Sequence, residues 1–136
     1  MNLADVMDEL GTALETVAGL RVFPYWADRI TPPAAVVAWP DPVTYDATMA
    51  RGMDTMTLHL FVMVGRYDAR STRDRLAQYL HGSGTTSIKK AVDGGTYTSC
   101  DSVTVQSAIV DAYAVAGADV LGADFTLLIV GKGAVS

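Results

Sequence analysis

Apolar residues recur along this chain at two different periods, and the switch between them divides it into elements. Leu3, Val6, Met7, Leu10, Leu14 and Val17 fall at steps of three and four, which predicts an amphipathic helix over the first segment. Asn2 is placed to cap its first turn, Asp5 stands near the positive end of the helix dipole, and Gly19 supplies a terminator. Arg21 to Trp26, interrupted by Pro24, and Ala34 to Trp39, delimited by Pro32-Pro33 and Pro40-Asp41-Pro42, read as two short strands near a sheet edge. From Asp41 to Asp54 neither period is sustained, which predicts a long loop, and such a loop in a small domain points to binding or assembly. Thr55 to Val64 then alternates strictly. Met56, Leu58, Leu60, Val62 and Val64 share one face, expected to be core, while Thr55, Thr57, His59, Phe61 and Met63 share the other.

Ser71 followed by Asp74 resembles a capping box with a shortened carboxylate, and it opens a predicted helix through Leu76, Ala77, Tyr79 and Leu80 that stops at Gly82. A shorter helix is expected from about Thr86 to Val92, closed by Asp93-Gly94-Gly95. Two long strand-like segments follow, Val103 to Val115 and Leu121 to Val130, joined through Ala116-Gly117-Ala118-Asp119 as a hairpin. Phe125 to Val130 is apolar on both faces apart from Thr126, so it is expected to be a central strand, or one whose outer face meets a neighbour. The sum is an α+β domain. A mixed, mostly antiparallel sheet packs against an N-terminal helix and a helix pair, with a long C-terminal β-hairpin.

Composition narrows this picture. At 136 residues the chain is one domain, residues 1–136, with no internal repeat or interdomain linker. No apolar run reaches the roughly 18 residues of a membrane span, and the start lacks a basic segment followed by an apolar one, so a soluble protein made in a cytoplasm is expected. The lone Cys100 excludes an internal disulfide. Ten basic against fifteen acidic residues give a net charge of −5, which argues against tight nonspecific binding to a phosphate backbone.

The search for chemistry gives little. Cys100 could act as a nucleophile with His59 or His81, but no local signature of a cysteine enzyme surrounds it, and packing as a small hydrophobe is the simpler reading. His59, inside an alternating strand, reads as a hydrogen-bonded or interface histidine because no metal partners cluster near it. His81-Gly82-Ser83-Gly84-Thr85-Thr86-Ser87 has the glycines of a phosphate loop but follows a helix rather than a strand, and Lys89 and Lys90 come too late. Asp5, Asp8, Glu9 and Glu15 read as the solvated face of the first helix. The arginines Arg66, Arg70, Arg73 and Arg75 are the unusual charge feature. They oppose the dipole of the helix they begin, and their forks suit carboxylates across an interface, although a solvated face explains them equally well.

The order of these elements, with Leu80-His81-Gly82-Ser83-Gly84 stepping into Ser87-Ile88-Lys89-Lys90-Ala91-Val92 and a terminal hairpin, resembles the tail terminator proteins of long-tailed phages, those infecting actinobacteria most of all. The resemblance covers nearly the whole chain. It implies a tail-terminator-like fold and a structural, non-enzymatic virion protein that needs no cofactor or metal. Such a protein forms a homo-oligomer, a hexameric ring on the tail tube protein at the head-tail junction. It ends tube polymerisation and offers the docking surface for the head connector, or neck protein, while DNA passes through without specific binding. Candidate contacts to neighbouring subunits or to the tube are Tyr45, Arg51 and Met53 in the long loop, Arg66, Arg70 and Arg73 around the second helix, and Val120 and Leu121 at the hairpin end. Alternatives are a head-to-tail connector of similar size, a small enzyme built on Cys100, and a ligand-binding module with a concave apolar pocket.

Overall fold

The first helix, α1 (Leu3–Leu14), forms where the three-and-four spacing places it: Val6, Met7, Leu10, Ala13 and Leu14 are buried. Asn2 Oδ1 accepts the Asp5 amide at 3.1 Å, so the first-turn cap is the one expected. The helix ends at Leu14, with the Glu15 amide closing on Gly11 and Ala13. Val17, past the helix end, is still buried. These positions come from a computed structural model that describes residues 2–17, 20–23, 33–38, 43–44, 53–82, 84, 86–115 and 118–132. The expected terminator Gly19 lies outside them.

Among the described residues six strands form one mixed sheet: β1 (Arg21–Phe23), β2 (Ala34–Val37), β3 (Val43–Thr44), β4 (Met53–Arg66), β5 (Ser102–Val115) and β6 (Ala118–Lys132). Their order is β1-β2-β4-β6-β5, with β3 also on β4, and β1 with β2 is the parallel pair. The expected mixed, mostly antiparallel α+β class is therefore present. Two strand expectations change. β2 lies inside the sheet, between β1 and β4, and all four of its residues are buried. Its small aliphatic side chains fit a strand covered on both faces, and the prolines that pointed to an edge flank the ladder rather than interrupt it. The predicted loop from Asp41 to Asp54 contains β3, where Val43 and Thr44 pair with Met56 and Thr55, and β4 begins at Met53.

Alternation in β4 holds: Met56, Leu58, Leu60, Val62 and Val64 are buried against the helices. Met63, expected on the other face, is buried as well, next to a register shift between Met63 and Gly65. Gly65 has a packing reason, because a Cβ there would stand 2.7 Å from Thr72 Oγ1 of the helix above it. Gly122 is tighter still, with a Cβ placed 2.4 Å from the Val62 carbonyl oxygen.

That overlying helix, α2 (Arg70–Leu80), begins one residue before the predicted capping box. Ala69 is its N-cap, no side chain caps it, and Ser71 is exposed inside the first turn. The α3 helix (Ile88–Asp93) does have a side-chain cap: Ser87 Oγ accepts the Lys90 amide at 3.1 Å and donates to the His81 carbonyl. This uses the N-terminus of α3 internally, which leaves the glycine turn before it as punctuation. The α3 helix packs on both α1 and α2, and all three cover one face of the sheet around Leu10, Leu14, Leu58, Leu60, Tyr79, Ile88, Leu127 and Ile129. β6 starts at Ala118, earlier than expected, and pairs along its length with β4 and with β5. Phe125, Leu127 and Ile129 are fully covered by the helix layer, whereas Thr126, Leu128 and Val130 on the opposite face are half-buried.

Candidate subunit interface

β5 is the last strand of the sheet and pairs with β6 alone among the described strands. Its lower part is covered by α3, and Asp93 there accepts the Val105 amide at 3.4 Å. Beyond the register shift between Val105 and Ser107 the cover stops: residues 106–112 are exposed on both faces of the sheet. Ile109 is 62 % exposed on one face and Val110 49 % exposed on the other. The segment Gln106-Ser107-Ala108-Ile109-Val110-Asp111-Ala112 has no proline or lysine, the residues that usually protect an edge strand. Asp111 is its single charge, and its carboxylate takes the Ala112 amide at 2.8 Å.

Next to this edge the structure gathers several of the predicted contacts. Arg66 ends β4 opposite Val120 of β6, and Arg70, Arg73 and Leu121 line a cavity of about 450 Å³ together with Tyr67, Asp68 and Ala69. Tyr67 is 58 % exposed. Arg66 lies 3.6 Å from Asp68 and Arg73 2.8 Å from Asp74, both on the surface, where such pairs contribute little. Val120 does not fit the prediction of an interface anchor: it is 5 % exposed and is already covered within the subunit. Met53 pairs with Lys132 at the opposite end of β4 from Arg66, roughly 40 Å away at about 3.3 Å per residue, so it belongs to a different surface. Tyr45 and Arg51 lie outside the described residues.

Sequence reasoning missed Tyr67, Ile109 and Val110. An apolar pair inside a strand has the same local signature whether it is buried or at an open edge, and only the strand order separates the two cases.

The remaining chemical candidates occupy separate places. His59 Nδ1 lies 3.0 Å from Asp124 Oδ1 on the sheet face away from the helices, with Phe61 stacked beside it and Tyr113 edge-on to Phe61 at 5.7 Å between centroids. Burial, helped by Asp124 and Asp111, pushes the Tyr113 hydroxyl up to about 12. Cys100 is buried in the core on the helix side, and burial, then Glu9 and Asp101, raise its thiol above the ordinary range, which keeps it protonated at neutral pH. His81 is exposed at the end of α2. Among the described residues no three His, Cys, Asp or Glu side chains are grouped to hold a metal ion, and no helix is long and apolar enough to cross a membrane.

Glu9 departs from its expected role as part of a solvated face. Its carboxylate accepts the Thr98 amide at 2.6 Å and the Ser99 amide at 2.7 Å, together with both hydroxyls, and so fixes the segment that leads into β5. These bonds, that from the Ser99 hydroxyl foremost, hold its pKa below the ordinary 4.5. Comparison with protein-family models and with curated proteins finds no match for this chain.

Proposed function

We propose that this chain is a structural assembly subunit that forms a ring on the end of a phage tail tube, stops the tube growing and presents a surface for the head connector. The observation that carries the reading is the open β5 edge. An edge strand of 14 residues whose outer half is exposed, with Ile109 on one face and Val110 on the other among small and polar residues, is a template for another chain, and a free subunit that kept it bare would be prone to aggregate. In this reading β5 and β6 form the long C-terminal hairpin of a tail-terminator-like fold, and their exposed end takes part in contacts between ring neighbours. A contact made by two different surfaces of one chain closes into a ring when its rotation permits. The acidic balance of the chain suits a channel through which DNA slides, since like charge keeps phosphates off the wall.

The test is the mass of the purified full chain in solution, followed by negative-stain imaging. Rings of about six subunits support the reading. A protein that stays monomeric in solution and remains single on the grid overturns it, and a ring that docks only on connectors assigns the chain to the neighbouring neck position.

A further inference from the structure

The exposed faces of α1 and α2 carry opposite charge. Asp5 and Asp8 are three residues apart on α1, and Glu15, the C-cap that follows seven residues later with helical dihedrals, continues the same stripe; all three are exposed. The first twenty residues contain no lysine or arginine to offset them. On α2, Arg70 and Arg73 have the same spacing of three, are also exposed, and have Arg66 and Arg75 close by in the sequence. Four of the ten basic residues of the chain thus fall within ten positions, against Asp68 and Asp74 in the same stretch, which pair with Arg66 and Arg73; Arg75 lines a different cavity, with Val64, Ser71 and Thr72, so Arg70 and Arg73 are the arginines that share one face. Among the described residues no ion pair joins α1 to α2, and Arg70 and Arg75 have no carboxylate within 4.0 Å. The α3 helix packs against both, and the two charged stripes do not neutralise each other within the subunit.

Two more features make α2 a receiving surface. Its first turn has no side-chain cap and no acidic residue, so the positive end of its dipole and its arginines face solvent together. Beside it, Tyr67, Ala69 and Leu121 line the cavity of about 450 Å³ that Arg70 and Arg73 border together with the carboxylate of Asp68, so apolar surface adjoins a rim with two arginines and one aspartate.

We infer that the Arg70–Arg73 face of α2 binds the Asp5–Asp8–Glu15 stripe on α1 of a second copy of this chain, an inference that rests on the ring reading and names its subunit contact. Residues three apart rise about 4.5 Å along each helix, so the two stripes match in pitch when the helices lie side by side. Arginine forks against carboxylates then form charge-assisted bonds, and the carboxylates offset the cost of placing arginines at a helix N-terminus. The contact is heterologous. Each copy uses its α2 on one neighbour and leaves its α1 for the next, an arrangement that closes into a ring when the rotation between copies permits.

The experiment is sedimentation equilibrium of the full chain and of two surface variants, Arg70→Glu with Arg73→Glu, and Asp8→Lys with Glu15→Lys. At about 0.1 M salt each variant alone is expected to self-associate at least about tenfold more weakly than the unaltered chain. A one-to-one mixture of the two is expected to regain assembly, because every contact then has one acidic and one basic partner. Circular dichroism checks that the variants fold. If one does not, a salt titration of the unaltered chain from about 0.05 to 0.5 M takes its place, with dissociation expected as screening rises. If the unaltered chain assembles and neither charge reversal nor salt changes its mass, the α1–α2 contact is refuted while the ring reading stands. A chain that is monomeric throughout overturns both.

Discussion

Glu9 holds the start of the edge strand in place through four hydrogen bonds to Thr98 and Ser99, and those bonds favour its ionised form. The sign follows from the depressed pKa: the contribution to stability is fully present above the ordinary value of 4.5 and is lost as pH falls through the lower pKa of the folded protein. Glu9→Gln is therefore expected to lower the urea midpoint at pH 7, with the difference from the unaltered chain shrinking by pH 3. A difference that does not vary with pH would contradict this account. Gly122 gives a second test at the same scale. Its missing Cβ would press on the Val62 carbonyl at 2.4 Å, which only backbone movement relieves. Gly122→Ala should cost about 1 to 3 kcal/mol in denaturant unfolding, in the range of overpacked core sites. Asn2 capping α1 was legible in the sequence because cap and amide are three residues apart. The partners of Glu9 were not, since they lie about ninety positions along the chain and meet it only through the fold.

Helix α2 shows how an element can be recognised while its boundary is misread. The Ser71 and Asp74 spacing, the positions Leu76, Ala77, Tyr79 and Leu80 and the stop at Gly82 pointed to a helix even though the arginines at its start oppose its dipole, and Arg70–Leu80 is one. Ser71 and Asp74 had the spacing of a cap, but the helix starts at Arg70, which puts Ser71 inside the first turn and Ala69 at the cap. Ala69→Ser should then supply the missing acceptor and stabilise the protein by about 0.5 to 2 kcal/mol, whereas Ser71→Ala should change little. Thermal unfolding of both variants checks the pair, and the opposite ranking would show that Ser71 is the cap. The same logic covers β2 and β4. Alternation alone marked the core face of β4, whereas the place of β2 inside the sheet depends on β1 pairing beyond it, which no local pattern records.

At the scale of the whole molecule, β5 has no strand beyond it among the described residues, and that side of the sheet is where the functional reading rests. Val110, half exposed beyond the helix layer, contributes little to the free subunit. Val110→Lys should leave its unfolding free energy within about 0.5 kcal/mol and yet weaken assembly, because a lysine on an edge strand disfavours pairing with another chain. A variant that assembles as well as the parent would place the subunit contact away from β5. The arginine part of this surface was legible from residue type and density. Its apolar part was not, because the segment Val103 to Val115 reads as a strand without showing whether Ile109 and Val110 are covered, and the strand order puts them at the rim. The most direct measurement of the central claim is electron imaging of tail tubes polymerised from their purified tube protein with and without this chain. Ring density on one end of each tube, together with arrested growth, is the predicted result, and bare ends on tubes that lengthen at the same rate in both samples would contradict it.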